Sequence, residues 1–145
     1  MAIWQFTCNI IPVKTNSKGT SQSELVSWQE ESMPVYEIDF LERKNSWSPQ
    51  IVQYGEVDGT CIEFFYENDK LIEIICRLDL RTITRKVFIQ VLEYVKSIDA
   101  VFFIDNKSYL PEEDIVLTLI KNSTAYQFCR NPKEVVISGD SSKLI

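Results

Sequence analysis

Residues 60–80, TCIEFFYENDKLIEIICRLDL, decide the fold. Two runs of β-forming residues flank Asn68-Asp69, a pair of residue types that turn a hairpin. A two-residue loop would set Cys61 opposite Cys76 and Glu63 opposite Ile74, mixing charge into both faces. A three-residue connection repairs this. It groups Ile62, Phe64 and Tyr66 with Ile72, Ile74, Cys76 and Leu78, and leaves Glu63, Glu73, Arg77 and Asp79 together on the other side. Register follows the face that must be buried, and Asp69 tolerates the left-handed conformation such a loop needs. The expectation is a hairpin with an apolar inner face and a charged face turned to water or to another molecule. Cys61 and Cys76 then sit on opposite faces, with no disulfide between them.

Upstream, residues 3–11 alternate, with Trp4, Phe6, Cys8 and Ile10 on one side, until Pro12; that is a half-buried strand. Residues 13–33 are polar and turn-rich and read as a surface excursion with one short helix around Leu25 to Glu30. PVYEIDFLE and IVQYG are further strand segments, separated by the breaker NSWSPQ. Downstream, Thr82 or Thr84 caps a helix to about Ser97, with Val87, Phe88, Val91, Leu92 and Val95 as its apolar stripe. AVFFI, bounded by Asp99 and Asp105, suits a central strand. Pro111 opens a second helix with acids in its first turn and Ile115, Val116, Leu119 and Ile120 facing inward. STAYQF continues as helix or turn, EVVIS is a candidate last strand, and the final residues read as a tail. Together these elements predict one α+β domain spanning residues 1–145: a mostly antiparallel sheet with two helices packed on one face.

Composition removes several kinds of chemistry. The 145 residues include no histidine, which excludes Ser-His-Asp and Cys-His catalysis and His-ligated zinc. The four glycines form neither a GxxxxGK nor a GxGxxG phosphate loop. Cys8, Cys61, Cys76 and Cys129 lie far apart and read as buried hydrophobes rather than metal ligands. Cys129 beside Arg130 is the candidate thiolate, and its apolar helical setting favours a structural role. The acids of DNKSYLPEED depart from the calcium-loop pattern and read as turn and helix-capping residues. A net charge of −6 disfavours nucleic-acid binding. The absence of a secretory signal or a long apolar segment predicts a cytoplasmic protein that does not enter a membrane. No cofactor, metal or catalytic residue is implied.

One local anomaly remains. RLDLRTITRK, residues 77–86, holds four basic residues and one acid. Arg77, Asp79 and Arg81 alternate with Leu78 and Leu80, so in a strand they project together. Arg85 and Lys86 follow at a helix start, where the dipole prefers acids. With Glu63 and Glu73 these residues form a candidate surface for a protein partner or a small anion. A plainer arrangement pairs Arg77 with Glu63 or Glu73 across the strands and leaves Arg81, Arg85 and Lys86 solvated. Trp28 and Trp47, in predicted loops, are candidates to anchor a partner or to pack over the core edge.

The stretches WQFTCNIIP, SWSPQ, GEVDGTCIEFFYENDKLIEIICRLDLR and STAYQFCRNP resemble a group of small bacterial proteins of unassigned function. In size, acidity and lack of catalytic motifs the chain is similar in type to cytosolic immunity proteins that neutralise toxin domains. That comparison implies a non-enzymatic binding protein acting by covering a partner's site. The alternative is a small-anion-binding or hydrolytic domain using the Arg77, Arg81 and Arg85 cluster with Asp79 or Glu73 as a base. Neither reading sets the oligomeric state.

Overall fold

The computed structural model describes residues 2–13, 28 and 38–130. The predicted helix near Leu25 to Glu30, the first part of PVYEIDFLE and the EVVIS strand lie outside these residues. The described chain runs β1 (Gln5–Pro12), β2 (Arg43–Lys44), β3 (Ile51–Gly55), β4 (Cys61–Glu67), β5 (Lys70–Asp79), α1 (Arg85–Ser97), β6 (Ala100–Ile104), β7 (Lys107–Tyr109), α2 (Glu113–Lys121) and α3 (Thr124–Cys129). The strands form one seven-stranded sheet in the order β2-β3-β4-β5-β1-β6-β7, each neighbouring pair antiparallel. The α+β class with a mostly antiparallel sheet is therefore as expected.

The central hairpin has the predicted faces by a different device. Its loop has two residues: Glu67 lies opposite Lys70, and both Asn68 (φ 53°) and Asp69 (φ 62°) are left-handed. That is the backbone of the tight turns that match strand twist. The parity is restored further along, where Phe65 opposes Glu73 but Tyr66 opposes Leu71. Ile72 is thus an extra residue, a β-bulge, which shifts the register by one. Leu71 joins the core in its place, while Ile72 is half-buried. Beyond the bulge, Ile62 faces Cys76 and Phe64 faces Ile74, so Cys61 and Cys76 do point to opposite faces, and both are free thiols.

The core lies between one sheet face and the helices. Phe6, Cys8, Ile10, Ile62, Phe64, Ile74, Cys76 and Leu78 from the sheet cluster with Phe88, Val91, Leu92 and Val95 of α1, Val116 and Ile120 of α2 and Ala125 of α3. Thr84 is the cap of α1, its hydroxyl accepting from the Val87 amide at 3.3 Å. STAYQF forms α3, a third helix capped by Ser123. AVFFI is an interior strand as expected, although β5 holds the centre of the sheet. Trp28 is 4% exposed and its indole donates to the Ile10 carbonyl at 2.8 Å, so it packs in the core. Trp47 is 81% exposed.

Two strand assignments change. Residues 38–42 form no strand; the short β2 follows them instead. KSY, read from sequence as part of an acidic turn, is β7, paired with β6 through a left-handed Asp105-Asn106 turn. Gly55 (φ +87°) also has a steric reason: a Cβ there would run into the Thr60 carbonyl oxygen.

Candidate functional site

The face of the sheet opposite the core carries Gln5, Thr7 and Asn9 of β1, Glu73, Arg77 and Asp79 of β5, and Cys61, Glu63 and the bulky Phe65 of β4. The predicted residues Glu63, Glu73, Arg77 and Asp79 therefore do share a face. They do not project into water as expected. Glu63 and Asp79 are each 2% exposed. Inward-facing charge of this kind persists only when it is paired, because an isolated buried ion is costly to desolvate.

The two buried carboxylates, Glu63 and Asp79, each have an arginine counter-ion. The Glu63 carboxylate meets the Arg77 guanidinium directly, and Arg77 also donates to Cys61 Sγ at 3.7 Å. Burial pushes the Cys61 thiol upward, against the opposing pull of Arg77. Arg77 Nε and Thr7 Oγ1 are buried without a hydrogen-bond partner among the described residues. Asn9 Nδ2 donates to Glu73 at 2.8 Å. Thr7, Arg77 and Cys61 lie in one row across three strands because their registers coincide.

Arg81 lies beyond the end of β5, so its side chain does not follow the strand alternation. It folds back onto Asp79, with Nε donating to Oδ1 and Nη2 to Oδ2, both at 3.0 Å. The Arg81 amide donates to the same carboxylate. This fork raises the pKa of Arg81 above its ordinary value and keeps it charged. On its other side the guanidinium sits 3.8 Å from the centroid of the Trp4 ring. Trp4 lies in the turn before β1 rather than in the strand's inner row, and its indole donates to the Asp58 carbonyl at 2.8 Å.

Residues 56–60 close over this end. Gln5 Nε2 donates to the Val57 and Gly59 carbonyls at 3.0 and 2.6 Å, and the Asp79 amide donates to Thr60 Oγ1 at 3.0 Å. These bonds explain how polar Gln5 and Asp79 are buried there. Cys129 of α3 approaches the Trp4 carbonyl at 4.0 Å. Three exposed apolar residues belong to the segments that meet here: Ile3 (61% exposed) precedes Trp4, Val57 (51%) lies in the closing 56–60 segment, and Phe128 (46%) precedes Cys129.

Arg85 and Lys86 are not part of either cluster. Arg85 makes a two-pronged bond to Glu113 of α2, 2.9 Å at each oxygen, while Lys86 is exposed on α1. Of the seven candidate residues, Glu63, Glu73 and Arg77 lie on the sheet face, Asp79 and Arg81 form a clasp, Arg85 joins an interhelical pair, and Lys86 belongs to none of these. Among the described residues no group of three His, Cys, Asp or Glu side chains is placed to hold a metal, and no helix is long and apolar enough to cross a membrane. Sequence reasoning missed Trp4 and Gln5 as partners of this cluster, since nothing local sets which distant strand β1 will join. No protein-family model, curated protein or solved structure matches this chain.

Proposed function

We propose that this chain is a non-enzymatic protein-binding domain, comparable in type with immunity proteins that act by covering a partner's site. The observation that carries this reading is the Arg81–Trp4 stack, held by the Asp79 carboxylate, with solvent-exposed Ile3, Val57 and Phe128 on the segments that meet at this end of the sheet. Arginine and aromatic side chains held rigid among apolar neighbours are the anchors of protein interfaces. Pre-ordering reduces the entropy lost on association. The proposed contact surface is therefore this end of the sheet, in place of the Glu63–Arg77 row.

The same pairing weighs against the small-anion alternative. Arg77, Arg81 and Arg85 each already hold a carboxylate, so an incoming anion would have to displace Glu63, Asp79 or Glu113. Of the two carboxylates considered as bases, Asp79 is held by the Arg81 fork and Glu73 accepts from Asn9 Nδ2.

The test is capture by the immobilised full chain of proteins encoded beside its gene, comparing wild type with a Val57→Asp, Phe128→Asp double variant. Both positions are exposed, so melting should move little. The expected result is a specific partner held by wild type and bound about tenfold or more weakly by the variant, the loss typical of an interface anchor. Equal retention by both proteins would reject this surface. A thermal-shift screen with nucleotides, sugar phosphates and divalent ions addresses the alternative, because a native-state ligand raises the midpoint.

A further inference from the structure

Cys8 and Cys76 are separated by most of the sheet-forming sequence, yet they are directly opposite each other on β1 and β5. Both side chains face the helix-covered core, at 4% and 0% exposure. Neither thiol is in a disulfide, and both belong to the same core cluster. The ladder itself sets their spacing. Leu80 N–H donates to the Trp4 carbonyl, so residues 4 and 80 form a hydrogen-bonded pair. Such pairs alternate along antiparallel strands. Phe6–Leu78 and Cys8–Cys76 are then hydrogen-bonded pairs too, with Cα atoms about 5.5 Å apart. That separation is the one disulfides most often span. The Cβ atoms of such a pair start somewhat wider than a disulfide prefers, so closing the bond draws the two strands together locally.

We propose that Cys8 and Cys76 form an oxidisable dithiol within the folded sheet, closing reversibly to a strained cross-strand disulfide when a peroxide reaches the core. Cys8, the less buried thiol, attacks one oxygen of hydrogen peroxide and becomes a sulfenic acid, releasing water. The Cys76 sulfur then attacks the Cys8 sulfur; hydroxide leaves and takes the Cys76 proton as a second water. The two thiols lose two electrons and two protons, and the peroxide is reduced to two waters. Its proximity to Cys8 and its burial hold the Cys76 thiol well above its ordinary pKa, so Cys8 attacks the peroxide first and Cys76 resolves the sulfenic acid. A strained bond of this kind is more easily reduced than a relaxed structural disulfide, so the pair is suited to reversible switching. Its closure would tie the amino-terminal strand to the centre of the sheet.

The experiment treats the folded full-length chain with hydrogen peroxide, blocks remaining thiols in denaturant, and maps cross-linked peptides by mass spectrometry without reduction. The expected dominant product is an intramolecular Cys8–Cys76 link, formed with an unchanged far-ultraviolet spectrum and reversed by dithiothreitol. In Cys76→Ala the intermediate is expected to stop as a Cys8 sulfenic acid trapped by dimedone. Should that variant fail to fold, the wild-type map alone decides. Links formed instead through Cys61 or Cys129, or intact thiols at 8 and 76 after Cys129 is fully oxidised, would overturn the proposal.

Discussion

A buried ion pair is retained only while both partners remain, and Glu63 with Arg77 shows the consequence. Arg77→Ala would leave the Glu63 carboxylate, 2% exposed, without its counter-ion, at a cost of about 3–5 kcal/mol. The joint change Glu63→Gln with Arg77→Met should recover most of that loss, and a double-mutant cycle from urea unfolding measures it. Tyr94 supplies a second test. Its hydroxyl is buried with no hydrogen-bond partner among the described residues, and burial pushes its pKa far above the ordinary phenol range. Below about pH 10 the side chain is neutral in folded and unfolded chains alike. As pH rises past about 10 the unfolded state ionises while the folded state does not, so stability falls by up to about 1.4 kcal/mol per pH unit. Cys76, also raised, adds to this alkaline loss from about pH 8.5 upward. Tyr94→Phe should flatten the slope above pH 10 in melting experiments, and at pH 7 should be neutral or stabilising because it removes an unsatisfied hydroxyl. None of this burial could be read locally, because charge on a strand marks a face without saying what will cover it.

At the scale of single elements the turns and helix ends carry the clearest local code. Thr84 and Ser123 cap α1 and α3 through their hydroxyls, as side chains of that type do when they precede an apolar periodic run. The β4–β5 and β6–β7 turns both use acidic or amide residues at positive φ: Asn68 and Asp69, then Asp105 (φ 50°) and Asn106 (φ 64°). Glycine reaches this region without the side-chain penalty, so Asn106→Gly should leave stability equal or raised, whereas Asn106→Val should lower it by about 1–2 kcal/mol. Chemical denaturation of the two variants checks the pair. The β6–β7 hairpin was legible in principle from Asp-Asn between AVFFI and KSY, but three residues are too few for an alternation signal. The bulge at Ile72 was not legible. Its role is to reconcile a two-residue turn with a buried face, and either an odd loop or a bulge satisfies the same hydrophobic parity.

For the whole molecule, β1 lies between β5 and β6, so the first strand pairs only with elements that follow it by some sixty residues or more. Long-range pairing of this kind places β1, β4 and β5 at the centre of cooperative stability, with β2 and β7 at the edges. Native-state hydrogen exchange should find the slowest amides in β1 and β5 and the fastest in β2 and β7. Slow exchange confined to α1 would contradict that arrangement. By itself the sequence determined the local alternatives: which of the longer runs are strands, where α1 is capped, and which hairpin face is apolar, because these follow from side-chain periodicity and turn chemistry within a few residues. Only the tertiary structure decided that Glu63 and Asp79 are buried, that Arg81 stacks on Trp4, and that Cys8 meets Cys76. Those pairings depend on which distant strand occupies each place in the sheet, and that choice is made by burial of the common core rather than by any residue's neighbours in sequence.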